Sequence, residues 1–110
     1  MNAVEKIYRC GDCPVCAFMG DLVLLEALGS GALFVFCPSC ACALDGPVDR
    51  LDEIVGPEKY APLGFVLPDR DQVRLAIDRG WRPRFLAGLD REWQRRLGAG
   101  FRARACSAPA

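Results

Sequence analysis

The chain has 110 residues, an apolar fraction of 52% and equal numbers of basic and acidic side chains, 14 of each. That is enough for one domain with a core of its own, and one domain over residues 1–110 is expected. It contains no His and no Thr, which excludes a His-dependent triad, a His-ligated catalytic zinc and a His general base.

The first residues, Met1 to Lys6, show no apolar stretch of the secretory kind, so a cytoplasmic setting is expected. The most apolar segment, Leu22 to Phe36, is short for a membrane span and is interrupted by Glu26 and by Gly29-Ser30-Gly31, so no membrane association is expected. Residues 4–9 predict a short strand, and residues 22–28 and 32–37 predict two more. Gly29-Ser30-Gly31 supplies the hairpin turn, because Gly tolerates positive φ. These strands are apolar at nearly every position. Strands of that kind are covered on both faces, so the C-terminal half or a second subunit is expected to pack on the hairpin.

From Asp45 the pattern becomes helical. Asp45-Gly46-Pro47 reads as a helix start, with Val48, Leu51, Ile54 and Val55 at helical spacing and Gly56-Pro57 as the stop. Residues 57–64 read as a loop, and 64–67 as a short extended piece. A second helix follows Asp69, with Gln72 completing a capping-box pattern, an apolar stripe of Val73, Ala76 and Ile77, and Gly80 as its end. A third is expected from Pro83, because Phe85, Leu89, Trp93 and Leu97 recur every four residues. Gly98 and Gly100 end it, and residues 99–110 read as a flexible tail.

Six of the seven cysteines form two clusters: Cys10, Cys13 and Cys16, then Cys37, Cys40 and Cys42. Within them lies a matched pair of turns, Cys13-Pro14-Val15-Cys16 and Cys37-Pro38-Ser39-Cys40. Each such turn lets two sulfurs reach one ion, and a hairpin between them brings the turns together. Cys13, Cys16, Cys37 and Cys40 are therefore the candidate metal ligands. Unpaired or redox-active thiols without a metal are the competing reading. Cys10 and Cys42 flank the turns, either as small buried apolar residues, as a redox pair, or as alternates for Cys16 and Cys40. Cys106 reads as a free thiol.

Here the chain resembles the zinc-ribbon superfamily, whose members carry two CPxC knuckles joined by a β-hairpin. The resemblance covers residues 8–44. It implies one structural Zn2+ per chain, and iron is disfavoured because a rubredoxin-like site serves an electron carrier with a different aromatic core. The family often has Gly after each knuckle, where this chain has Ala17 and Ala41. In the left-handed conformation each would cost roughly 1 kcal/mol relative to Gly. Four thiolates close the metal's shell, which leaves no position for catalytic water.

Charge is uneven. Residues 1–45 carry two basic and five acidic side chains, whereas Arg79 to Arg104 holds eight Arg against Asp90 and Glu92. These arginines are interleaved with Trp81, Phe85, Trp93 and Phe101, a pattern that can bind nucleic acid through phosphate pairing and base stacking. It is also the pattern of a core helix with a solvated face, and that is the preferred reading. The reading is an α+β fold: a zinc-ribbon hairpin at 8–44, and two or three helices over 45–98 packed on it. The expected role is a non-enzymatic protein-interaction module whose partner is another protein or a second copy. The alternatives are nucleic-acid binding through residues 79–104 and, more remotely, a thiol redox sensor.

Overall fold

In the computed structural model, which describes residues 6–16, 20–45 and 55–102, the apolar segment forms the middle of an antiparallel sheet. Its strands are β1 (Lys6–Asp12), β2 (Asp21–Ala27), β3 (Leu33–Cys37), β4 (Cys42–Leu44), β5 (Phe65–Val66) and β6 (Arg84–Gly88). The order is β4-β3-β2-β1-β6, with β5 paired to β2 at the end that β1 leaves free. Two helices complete the fold, α1 (Arg70–Asp78) and α2 (Arg91–Leu97), with a 3-10 turn at Pro57–Lys59. The mixed α+β expectation holds, with two α-helices among the described residues.

The β2–β3 hairpin closes as the glycines predict. Gly29 and Gly31 take φ of 90° and 74°. The Ala27 amide donates to the Ala32 carbonyl at 2.8 Å, and the Ser30 hydroxyl accepts from the Ala32 amide at 3.2 Å. Successive side chains on a strand point to opposite faces, so an apolar strand fills two cores. Val23, Leu25, Ala27, Phe34 and Phe36 join Ile7, Phe65, Leu67 and Leu97 on one face. Leu22, Leu24, Leu33, Val35 and Cys37 join Cys13, Cys42, Ala76 and Trp81 on the other. The chain's own C-terminal half supplies both covers.

Helix α1 lies on the second face. Asp69 caps it by accepting from the Gln72 amide at 2.9 Å. The reciprocal half of the capping box is not made, since Gln72 Oε1 is buried with no donor among the described residues. Ala76 is buried and Val73 packs beside it, but Ile77, expected in the same stripe, is 55% exposed. Gly80, at φ 96°, turns the chain so that the Trp81 amide returns to the Ala76 carbonyl and the indole enters the core.

The helix expected from Pro83 is corrected. Residues Arg84–Gly88 are a strand paired to β1, and the helix begins only at Arg91, capped by Asp90. Leu89, Trp93 and Leu97 do pack on the first face, whereas Phe85 leaves that stripe and is 60% exposed. The edge of β1 carries unpaired amides and carbonyls that need partners. Gly88 also disfavours helix by about 1 kcal/mol. Pairing with β1 therefore overrides the four-residue period. A register shift between Ile7 and Tyr8 leaves Leu86 as the extra residue on β6, and it packs against the first face.

Gly100 and Arg102, at the start of the expected tail, bond to β5. The Phe65 amide donates to the Gly100 carbonyl and the Arg102 amide to the Phe65 carbonyl, at 2.9 and 2.7 Å. Phe65 stands at the centre of an aromatic cluster with Phe34, Phe36 and Phe101, at centroid separations of 5.8, 5.7 and 6.4 Å. The expected helix at 45–55 falls almost wholly outside the described residues. Its last member, Val55, accepts from the Ala43 amide through its carbonyl at 2.9 Å and is not helical.

Candidate metal centre

The sheet brings both CPxC turns to one end. The first follows β1, and the second joins β3 to β4. The hairpin between them aligns Val23 with Phe36, which places the end of β3 beside the start of β2. The Cys13 amide donates to the Gly20 carbonyl at 2.9 Å, and the Ala41 amide to the Cys37 carbonyl at 2.8 Å, closing each loop.

The four sulfurs picked out by spacing lie within 4.8 Å of one another. Cys13 Sγ is 3.6 Å from Cys40 Sγ, and Cys16 Sγ is 3.7 Å from Cys37 Sγ. A regular tetrahedron with metal–sulfur bonds of about 2.3 Å has sulfur–sulfur edges of about 3.8 Å. Both of these contacts run between turns, Cys13 with Cys40 and Cys16 with Cys37, so the arrangement ties the two turns together. Cys13 and Cys37 are buried, and Cys16 and Cys40 are half-buried.

Thiol acidity follows position. Burial pushes Cys13 up, but the amides of Cys16 and Val15 and the Cys40 thiol hydrogen-bond to its sulfur, and the balance lowers it. Burial, followed by the neighbouring Cys13 and Cys37 thiols, raises Cys16. Burial and the same two thiols raise Cys40 strongly, although the Cys42 amide works in the other direction. The Cys13 thiolate is thus favoured, and those of Cys16 and Cys40 are opposed. A cation among the sulfurs reverses that order, since metal-bound thiols are deprotonated. The donor set, its spacing and its amide hydrogen bonds therefore fit a metal ion.

One residue at this centre escaped the reading of the sequence, Gly20. A Cβ there would overlap the Cys37 sulfur and press on the Cys16 sulfur at 3.0 Å and on Ser39 Cβ at 3.3 Å. Gly20 is needed for close approach rather than for a turn, so no turn pattern marks it. Cys42, one of the two flanking cysteines, is 1% exposed and directly opposite Cys37 in the β3–β4 pairing. Burial raises its thiol.

Cys10 behaves differently. It is the extra residue where the β1–β2 register shifts, packs against the second face, and is pushed up to about 11 by burial. Strands β2 and β3 lie between it and Cys42. Three strand steps of about 4.8 Å put the two roughly 14 Å apart, beyond disulfide reach. Ala41 takes φ 60°, the left-handed conformation that the family's Gly would occupy. Ala17 and Cys106 lie outside the described residues.

Beside the first turn, Arg9 bridges Asp12 and Asp21, the latter at 2.5 Å. This ties the end of β1 to the start of β2.

The basic segment forms no comparable centre. Arg79, Arg82, Arg84, Arg91, Arg95, Arg96 and Arg102 are all exposed, spread from the end of α1 through β6 and α2, and Arg104 lies outside the described residues. Of the interleaved aromatics, Trp81 is buried, Trp93 and Phe101 are half-buried in the first core, and Phe85 alone is exposed. Arg96 stacks over Trp93 at 4.1 Å. No described helix is long and apolar enough to cross a membrane.

Compared with known proteins, the chain matches no family model, no curated protein and no solved structure. The zinc-ribbon likeness therefore rests on the geometry of the four cysteines.

Proposed function

We propose that Cys13, Cys16, Cys37 and Cys40 hold one structural Zn2+, and that the protein is a non-enzymatic interaction module. The observation that carries the metal assignment is the closed set of four sulfurs with edges of 3.6 and 3.7 Å between the turns. When bound, zinc supplies a four-point cross-link between β1, β3 and the loops beside them. Four thiolates leave no open position for water, so the chemistry offered is structural rather than hydrolytic. Six unpaired cysteines among the described residues suit a reducing, cytoplasmic setting.

The interaction reading rests on a different surface from the one the sequence offered. The apolar hairpin is covered on both faces by its own chain. Among the described residues, large apolar side chains stay exposed on α1 (Leu75 and Ile77), at Leu63, and on β6, the last strand of the sheet, where Phe85 stands with Lys6 poised 5.7 Å from its ring centroid. A second reading, nucleic-acid binding, is supported by the seven exposed arginines. It is weakened by the burial of Trp81 and the partial burial of Trp93 and Phe101, which removes most of the stacking surface.

Native mass spectrometry of the untagged protein from its own host, with elemental analysis, tests both halves. One zinc per chain with a bound protein or a second copy is the expected result. Iron in place of zinc, or no metal, overturns the zinc assignment. Retained nucleic acid that is released steeply by salt would replace the interaction reading with the second one.

A further inference from the structure

We propose that Cys37 and Cys42 form a redox-modification site, at which a hydroperoxide joins the two as a cross-strand disulfide and thereby expels the metal. The inference rests on the metal reading above and names a regulation of that same centre.

The geometry is that of the β3–β4 pair. Cys37 and Cys42 are directly opposed in register. Directly opposed residues in antiparallel strands have Cα atoms about 4.5 or 5.5 Å apart and share a face. A disulfide needs roughly 4.4–6.8 Å, so either pair type permits the bond without strand movement. Both side chains are enclosed in the same core cluster. Among the described residues, Cys42 is also the thiol opposite the centre that lies outside the four-sulfur set, so it is free while the other four hold metal. Cys10, across two strands, has no such partner among the described residues.

Oxidation enters at Cys40, which is half-buried where Cys37 is enclosed. The O–O bond breaks, the sulfur takes the hydroxyl as a sulfenic acid, and an alcohol leaves. Cys42, two residues along the chain from Cys40, attacks this sulfur. An S–S bond forms, the S–O bond breaks, and water leaves with the Cys42 proton. The Cys37 thiol then gives its proton to Cys40 as its sulfur attacks that of Cys42: a Cys37–Cys42 bond forms, the Cys40–Cys42 bond breaks, and Cys40 returns as a thiol. The balance is two thiols and one hydroperoxide to one disulfide, one alcohol and one water. The sulfurs lose two electrons and the peroxide gains them. With Cys37 consumed, three sulfurs cannot close the shell, and the metal is released.

The test is a hydrogen peroxide titration of the metal-loaded, full-length protein. Released metal is followed with a chromogenic chelator, and disulfides are mapped by non-reducing peptide mass spectrometry. Stoichiometric metal release with a Cys37–Cys42 link, reversed by dithiothreitol and added metal, is the expected result. Cys42→Ala, first shown to bind metal, should release it several-fold more slowly, while Cys10→Ala should match the parent. Disulfides confined to Cys13, Cys16, Cys37 and Cys40 in the parent protein would overturn the proposal, whether or not the variant folds. Protein that carries no metal as purified would fail the metal reading instead. In that protein a peroxide-formed Cys37–Cys42 bond would still uphold the disulfide, and its absence would overturn it.

Discussion

The two faces of the sheet are held by different physics. The first is closed by carbon: Phe34, Phe36, Phe65, Leu67 and Leu97 fill it, with Tyr60, Trp93 and Phe101 at its margin. The second holds Leu22, Leu24, Val35 and Trp81, but its end is built of thiols, with Cys13, Cys37 and Cys42 inside the core and Cys10, Cys16 and Cys40 against it. Apolar burial is non-directional and tolerates repacking. A ligand cluster is directional and fails as a unit when one donor is lost. One sheet thus carries a face that degrades gradually and a face that, on the proposed reading, depends on a bound ion.

The sharpest way to break the comparison is to remove one donor. Cys13→Ser or Cys37→Ser should abolish metal binding and unfold the knuckle end, a loss of several kcal/mol given the roughly 10–16 kcal/mol by which structural zinc binds its peptides. Retained native dispersion in the spectrum of the N-terminal residues would count against it. On the carbon face, Phe65→Ala removes the side chain at the aromatic centre, which is 2% exposed. Urea unfolding should show a loss of about 3–5 kcal/mol, with metal still bound below the transition. Metal loss in native buffer would show that the faces are not separable.

Gly20→Ala is the finer test of the thiol face. The added methyl collides with the Cys37 sulfur, so metal affinity should fall and stability should drop by about 1–3 kcal/mol. An unchanged affinity in a competitive chelator titration would remove Gly20 from the site. Ala41→Gly should work in the opposite direction. Relief of the left-handed conformation at φ 60° is expected to raise stability by about 1 kcal/mol, read as a higher unfolding midpoint.

The smallest effect is one of pH on the metal-stripped protein. Burial raises Cys10 from its ordinary 9.0 to about 11, and the folded state holds that proton more tightly than the unfolded chain does. The contribution is therefore fully present below pH 9 and is lost as pH rises toward 11. Cys16, Cys40 and Cys42 shift in the same direction, and Cys13 in the opposite one. The metal-loaded protein should behave in the opposite sense at the acid end, because protons compete for its thiolates. Unfolding midpoints across pH 5–11, with and without chelator, separate the two trends. Parallel curves would deny the role of the metal.

Local chemistry is what the linear chain specifies well. The paired CPxC spacing singles out the four sulfurs that cluster, the glycines around Ser30 define the hairpin, and Asp69 caps its helix through the Gln72 amide. Near-continuous apolarity in β2 and β3 also announces a sheet covered twice. Each of these signals is set by residues near one another in sequence, or by a spacing that one turn imposes. What only the tertiary structure decides is non-local. The Phe85–Leu97 period reads as one helix until the open edge of β1 recruits its first part as a strand. Gly20 looks unremarked until the second turn arrives against it, and Cys42 is a spare thiol until the β3–β4 register sets it opposite Cys37. Hydrogen-bonding demand at a sheet edge and close approach between distant segments depend on what the rest of the chain brings there, and no window of sequence contains that information.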